Sequence, residues 1–339
     1  MGASSRVFLK LGAVLCLAGA AALGQAEQVV NVYSHRHYET DQRLYERFQR
    51  ETGIAVRVVQ AGAAELIERL RAEGARSPAD LLITVDAGRL QWAKALGLLQ
   101  PAGSRILEQT VPAGLRDPEG TWFGLTTRAR VIVYAKDRVD PRELAGYEEL
   151  TDPRWRGRLL VRSSTSEYNQ SLLAWLIEAR GEQAARLWAE GMVANFARAP
   201  KGNDRDQVKA VVAGEGDIAL VNTYYIGLLL NSEDPEERKV GAAVGVAFPR
   251  ETHLNISGAG ITASSRNAAN ARRLLEFLVS EEAQRVFADA NYEYPVNPQV
   301  RPSALLASWG QVPASPTGIG NLGKHYEAAL RIFDLAGWR

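Results

Sequence analysis

The sequence predicts an α/β protein of two lobes joined by two crossing strands, with a cleft between the lobes. Two observations carry that expectation. Strand-like apolar runs alternate with amphipathic helical stretches, which implies mainly parallel sheets covered on both faces. Two long extended stretches, near residues 125–135 and 250–262, bracket a second complete α/β unit, and lobes tied in this way have a hinge behind the cleft.

The elements follow in order. QVVNVYS (28–34) reads as a buried strand, and residues 40–52 as a helix with Leu44 and Phe48 at helical spacing. IAVRVVQ (54–60) is a second strand and 64–73 a second helix. ADLLITVD (79–86) is a third strand, followed by a helix over 87–96. WFGLTTRARVIVYAK (122–136) is one long extended stretch. The second unit has strands at 157–163 and 217–222 and helices at 167–180, 182–197 and 223–230. Residues 244–249 and 255–262 look extended, and helices over 268–279, 281–291 and 324–335 close the chain. There is no internal repeat and no low-complexity segment.

The N-terminus reads as a secretory signal peptide. Arg6 and Lys10 precede an uncharged apolar run at 11–23, and Gly24-Gln25-Ala26 supplies small residues for cleavage after Ala26. The run is shorter than the roughly 20 apolar residues a membrane span needs. Cys16 is the only cysteine and would leave with the signal, so thiolate metal sites, cysteine nucleophiles and disulfides are excluded from the mature chain. A chain near 300 residues buries roughly 75% of its surface, enough to stand on its core alone. Loss of Arg6 and Lys10 takes the formal charge from +1 to about −1, which gives no electrostatic case for nucleic acid. The expected destination is a compartment outside the cytoplasm.

The chemistry lies at His35-Arg36-His37-Tyr38, Tyr168, Tyr224-Tyr225 and Arg128/Arg130. His37 and Tyr38 follow the first strand and precede a helix start marked by Thr40 and Asp41. Tyr168 follows the cap candidates Ser164, Thr165 and Ser166. Tyr224 and Tyr225 fall in the first turn after Asn222 or Thr223. All sit beyond the carboxyl ends of strands, where open α/β sheets bind ligands. Adjacent tyrosines converge on one atom only where the backbone turns, as it does at such a junction. The positive end of a helix favours phenolate, a hard oxygen donor suited to a hard cation. Taken singly, each tyrosine also suits a core or rim position with a satisfied hydroxyl, and His37 suits a surface or capping position.

VNVYSHRHYETDQRLYERFQRETGI (30–54) resembles the opening of periplasmic ferric-iron-binding proteins of ABC importers, in their tyrosine-rich branch. VRSSTSEYNQSLLAWLI (161–177) resembles that family's second ligand segment and DIALVNTYYIGLLL (217–230) its Tyr-Tyr segment; GLTTRARVIVYAKDRV and EYPVNP are similar to it as well. The resemblance implies a type II periplasmic-binding-protein fold that closes on Fe(III), with His37, Tyr38, Tyr168, Tyr224 and Tyr225 as ligands. It departs at His35, where a small polar residue is expected; the histidine is read as solvated. Four phenolates on Fe(III) leave about one negative charge, for which Arg36 and Arg128 are the candidate cations. Five protein donors remove the need for an external anion.

These readings give a signal at 1–26, a first lobe of 27–127 plus 258–302, and a second of 128–257 plus 303–339. They imply a monomeric periplasmic carrier that delivers Fe(III) to an ABC permease at the inner membrane, its release helped by reduction or acid. The alternative is a binding protein of the same fold for an organic solute such as a polyamine, thiamine or a phosphorylated compound. An enzyme is disfavoured, because no GxSxG, HExxH or 2-His-1-carboxylate spacing is present.

Overall fold

The computed structural model describes residues 28–339, and the signal-peptide reading of residues 1–26 lies outside them. The first lobe opens with β1 (Val29–Ser34), α1 (Glu39–Thr52), β2 (Ala55–Gln60), α2 (Ala63–Glu73), β3 (Leu81–Thr84), α3 (Ala87–Ala95), β4 (Leu99–Gln100) and α4 (Arg105–Thr110). The long strand β5 (Phe123–Ala135) leads out of it. The second lobe holds β6 (Leu159–Leu160), α5 (Glu167–Arg180), α6 (Glu182–Ala194), α7 (Asp204–Val212), β7 (Ile218–Asn222), α8 (Thr223–Leu230), α9 (Pro235–Ala243) and β8 (Val244–Ala247). Strand β9 (Leu254–Thr262) leads back to α10 (Ala268–Leu278), α11 (Glu281–Ala290) and β10 (Tyr294–Pro295). Helices α12 (Ala304–Ser308) and α13 (Tyr326–Ala336) end the chain.

Strand pairing explains how two lobes share one sheet. Inside the lobes β1 pairs parallel with β2 and β3, and β6 with β7, while β4 and β8 lie antiparallel to the crossing strands β9 and β5. The two crossing strands run antiparallel, Phe123 opposite Ala259 and Ala129 opposite Leu254. Beyond Ala129, β5 changes partner and pairs with β7, starting at Arg130 opposite Asn222. The far half of β9 pairs with β3. Each crossing strand therefore belongs to one lobe at one end and to the hinge at the other. The backbones approach closely there: a Cβ at Gly258 would lie 2.8 Å from the Phe123 carbonyl oxygen.

Burial follows the same plan. One apolar cluster packs Leu44, Phe48 and Leu274 against β1 and β3 in the first lobe. Another packs Val208 and Ile226 on β5 and β7 in the second. A third runs between them, joining Leu90 and Trp122 to Leu322 and Phe333 of the C-terminal segment. Trp338 packs against Trp188, Phe196 and Phe333, and its indole N–H donates to the Arg162 carbonyl at 2.9 Å.

Local chemistry accounts for the departures from expectation. The strand expected over 157–163 shortens to Leu159–Leu160. The side-chain amides of Asn169 and Gln170 take the carbonyls of Arg162, Ser163 and Ser164, which a longer strand would have paired. Helix α7 was not expected; it is nucleated by a capping box between Asn203 and Asp206. Helix α9 is likewise set by an Asp234 cap and by Pro235 in its first turn.

Candidate metal centre

Each tyrosine of the candidate set stands at the start of a helix. Tyr38 is the N-cap of α1, Tyr168 the second residue of α5, and Tyr224 and Tyr225 the second and third of α8. None of these three helices carries a side-chain cap. Thr40 and Asp41, expected as cap residues, lie inside α1 and are used elsewhere: Thr40 donates to Asn291 at 2.7 Å, and Asp41 receives Arg36. The uncapped N–H groups thus leave their partial positive charge facing the tyrosines.

The hydroxyls meet between the lobes. Tyr38 of the first lobe donates to the Tyr224 hydroxyl at 3.1 Å, and Tyr168 shares a hydrogen bond with the same oxygen at 3.1 Å. An octahedral ion with oxygen ligands at about 2.1 Å sets neighbouring oxygens about 3 Å apart, so these separations suit one cation. The Tyr225 ring lies 4.2 Å from that of Tyr224, tilted by 32°. His37 is exposed, its ring stacked on Tyr38 at 5.3 Å, and it forms no hydrogen bond with the hydroxyls. His37, Tyr38, Tyr168 and Tyr225 line one cavity of about 680 Å³. Among the described residues no group of three or more His, Cys, Asp or Glu is arranged to hold a metal. Burial, and after it the nearby Tyr168, pushes the hydroxyls of Tyr38, Tyr224 and Tyr225 above the ordinary tyrosine value. Without a cation these three are protonated near neutral pH.

The arginines differ in how their charge is matched. Arg36 is buried between two carboxylates, bonding Asp41 at 3.0 Å and Glu293 at 2.9 Å, with Thr126 at 3.2 Å. Arg130 bonds the buried Asp204 at 2.6 Å, and Arg162 reaches the other oxygen of Asp204 at 3.0 Å. Arg128 bonds only neutral groups, the Ser257 hydroxyl at 3.3 Å and the Val85 carbonyl. The guanidinium carbons of Arg128, Arg130 and Arg162 lie 5.4, 5.8 and 5.2 Å from the centre of the Tyr168 ring. Three cations thus surround one phenol, with one carboxylate shared by two of them.

Residues 76–310 match the family of bacterial extracellular solute-binding proteins. The chain belongs to that family. It is 50% identical over 317 residues to iron uptake protein A1 of Synechocystis, covering 92% of this chain and 88% of that protein. A Trichodesmium protein solved in complex with iron and citrate ligands superimposes with a TM-score of 0.87 at 47% identity, over 92% of this chain and 100% of the other. A ferric binding protein from Campylobacter jejuni gives 0.88 at 42% identity, over 91% and 100%. The fold is that of type II periplasmic binding proteins, and the solute-binding protein is a transport component rather than an enzyme.

Two features of this solute-binding protein were not read from sequence. His35, expected in solvent, is mostly covered, and its Nε2 faces Glu167 across the cleft at 3.5 Å. The short β1–α1 loop turns it inward; burial lowers its basicity, while Glu167 opposes that effect. The role of Arg130 was also missed, although the alternation Arg128-Ala129-Arg130 sets both arginines on one face of a strand. Its partner Asp204 lies far along the chain on a helix too short for periodicity to reveal.

Proposed function

We propose that this protein captures Fe(III) in its interlobe cleft and delivers it to an ABC permease from the periplasm, its signal cleaved after Ala26. The ligands are His37 and Tyr38 from the first lobe (27–127 plus 258–302) and Tyr168, Tyr224 and Tyr225 from the second (128–257 plus 303–339). The observation that carries the reading is the meeting of the Tyr38, Tyr168 and Tyr224 hydroxyls, brought from separate elements of both lobes to 3.1 Å. Hydroxyls buried together gain little from packing, but phenolates there give a trivalent ion a hard, charged donor set. The iron-related names of the relatives at 42–50% identity support the same cargo.

Charge balance supports it further. Fe(III) with four phenolates carries one net negative charge, and Arg128, bonded only to neutral groups, offsets it. Arg36 already faces two carboxylates, so its part is to hold the His37-Tyr38 turn against Glu293. Acid or reduction favours release: protons compete for the phenolate oxygens, and Fe(II) has less charge with which to hold them.

A visible spectrum of the purified protein before and after ferric citrate tests this. A broad iron–phenolate charge-transfer band that bleaches with dithionite is expected, and Tyr224→Phe and Tyr225→Phe should each weaken iron binding. A protein that stays colourless with ferric citrate overturns the iron reading and points to an organic solute.

A further inference from the structure

One residue of the first lobe is held in a backbone conformation that its side chain disfavours. Among the described residues Tyr292 is the only non-glycine residue with positive φ, at 55°. A bulky residue there is an outlier, and it persists only where its surroundings dictate the conformation. Both neighbours of Tyr292 are fixed to the segment that carries Tyr38. Asn291 accepts from Thr40 at 2.7 Å, and Glu293 accepts from Arg36 at 2.9 Å.

The side chain so presented meets α8 of the second lobe. A Cβ built on Gly227 would lie 2.5 Å from Tyr292 Cβ, 2.5 Å from its Cγ and 2.9 Å from its Cδ2. Gly227 is buried and stands three residues after Tyr224, where helix geometry puts the two side by side. Leu228, Ala290 and Asn291, next to the contact in the chain, line the cleft. Tyr292 is therefore tied through its backbone neighbours to Tyr38, and through its ring to the helix of Tyr224 and Tyr225.

The glycine is what lets the two lobes come this close. Carbon atoms rest about 3.5–4.0 Å apart, so a methyl group at 227 would hold α8 off by about 1 Å. The Cβ of Tyr292 is placed by the backbone, and no rotation of the side chain moves it out of the way. A metal–ligand bond accommodates a change of only about 0.2 Å. The contact between α3 and α5 is of another kind: Arg89 donates to Gln170 at 2.8 Å, a bond that water can replace when the lobes part.

Resting on the reading of the cleft as an iron site, we propose that Tyr292 and Gly227 form a wedge and notch that sets how far the lobes close. They are positioning residues: the contact fixes the distance from Tyr38 to Tyr224 and Tyr225, and without it the phenols of the two lobes do not reach one ion together.

The test uses the mature chain as wild type, Gly227→Ala and the double variant Gly227→Ala with Tyr292→Gly. Alanine is the better helix former, so the first change does not harm α8 itself. Glycine adopts φ near 55° freely, and the second change removes every atom that the new methyl group meets. Iron affinity, read by competition with citrate, should fall about 10–100-fold in Gly227→Ala and return most of the way in the double variant. The radius of gyration from small-angle scattering, with and without ferric citrate, should be larger in Gly227→Ala than in the wild type and fall back in the double variant. Equal iron affinity and equal radii for wild type and Gly227→Ala overturn the wedge, and so does a loss that Tyr292→Gly does not repair. If Gly227→Ala alone fails to fold, folding of the double variant supports the contact and failure of both overturns it. A wild type that shows no iron–phenolate band refutes the iron reading alone, and the radii then decide the wedge.

Discussion

Ferric binding at the tyrosine cluster should release one proton for each hydroxyl that becomes a ligand. Tyr38, Tyr224 and Tyr225 are held above the ordinary tyrosine value of about 10 by burial and then by Tyr168. All three are protonated near neutral pH, so binding displaces at least three protons. Each displaced proton changes the apparent affinity tenfold per pH unit, about 1.4 kcal/mol. Three give about a thousandfold, or about 4 kcal/mol, per pH unit. Because raised values favour the protonated, metal-free form, affinity grows as pH rises and falls as acid competes for the oxygens. The assay is a pH-stat titration with a ferric chelate at one fixed pH, run on the wild type and on Tyr38→Phe, Tyr224→Phe and Tyr225→Phe. Protons from the chelator and from iron hydrolysis are common to all four proteins and cancel in the differences. Each variant should release about one proton fewer per iron bound. Equal release from the wild type and every Phe variant would refute displacement of these hydroxyls, and the ligand set with it.

Other perturbations probe the surroundings. Arg128→Leu should reduce iron affinity about 10–100-fold while keeping the charge-transfer band, read by competition with citrate. Arg36→Met leaves Asp41 and Glu293 buried without their cation and should cost about 3–5 kcal/mol in urea unfolding. Gly258→Ala drives a methyl group into the Phe123 carbonyl and the Leu90 side chain where the crossing strands meet, and should cost about 1–3 kcal/mol, read by thermal melting.

The parts legible in sequence were those with a local signature. The long apolar run that became β5 could be read as one extended stretch, and the tyrosines could be placed at helix starts because strand ends and turn residues precede them. What could not be read was which polar groups would choose one another. Asp41 looks like a cap residue, but its carboxylate accepts from Arg36, which also donates to Glu293, 257 positions from Arg36 in sequence. Asp204 binds an arginine 74 residues earlier, from a helix whose apolar spacing is too brief to notice. His35 was misjudged for the same reason, since its exposure depends on how the opposite lobe presents Glu167. Local patterning sets the elements; the charge network is settled by topology, which sequence spacing does not encode.

The packing of Trp338 offers an optical readout of the proposed cargo. Its indole is tied to the backbone of Arg162, and the side chain of that arginine rests 5.2 Å from the Tyr168 ring. On the iron reading, an excited indole within energy-transfer range of a visibly absorbing iron–phenolate centre loses part of its energy without emitting. Of the 7 tryptophans, Trp338 and its neighbour Trp188 would thus dim as iron arrives, so filling of the cleft could be followed in real time with no label attached.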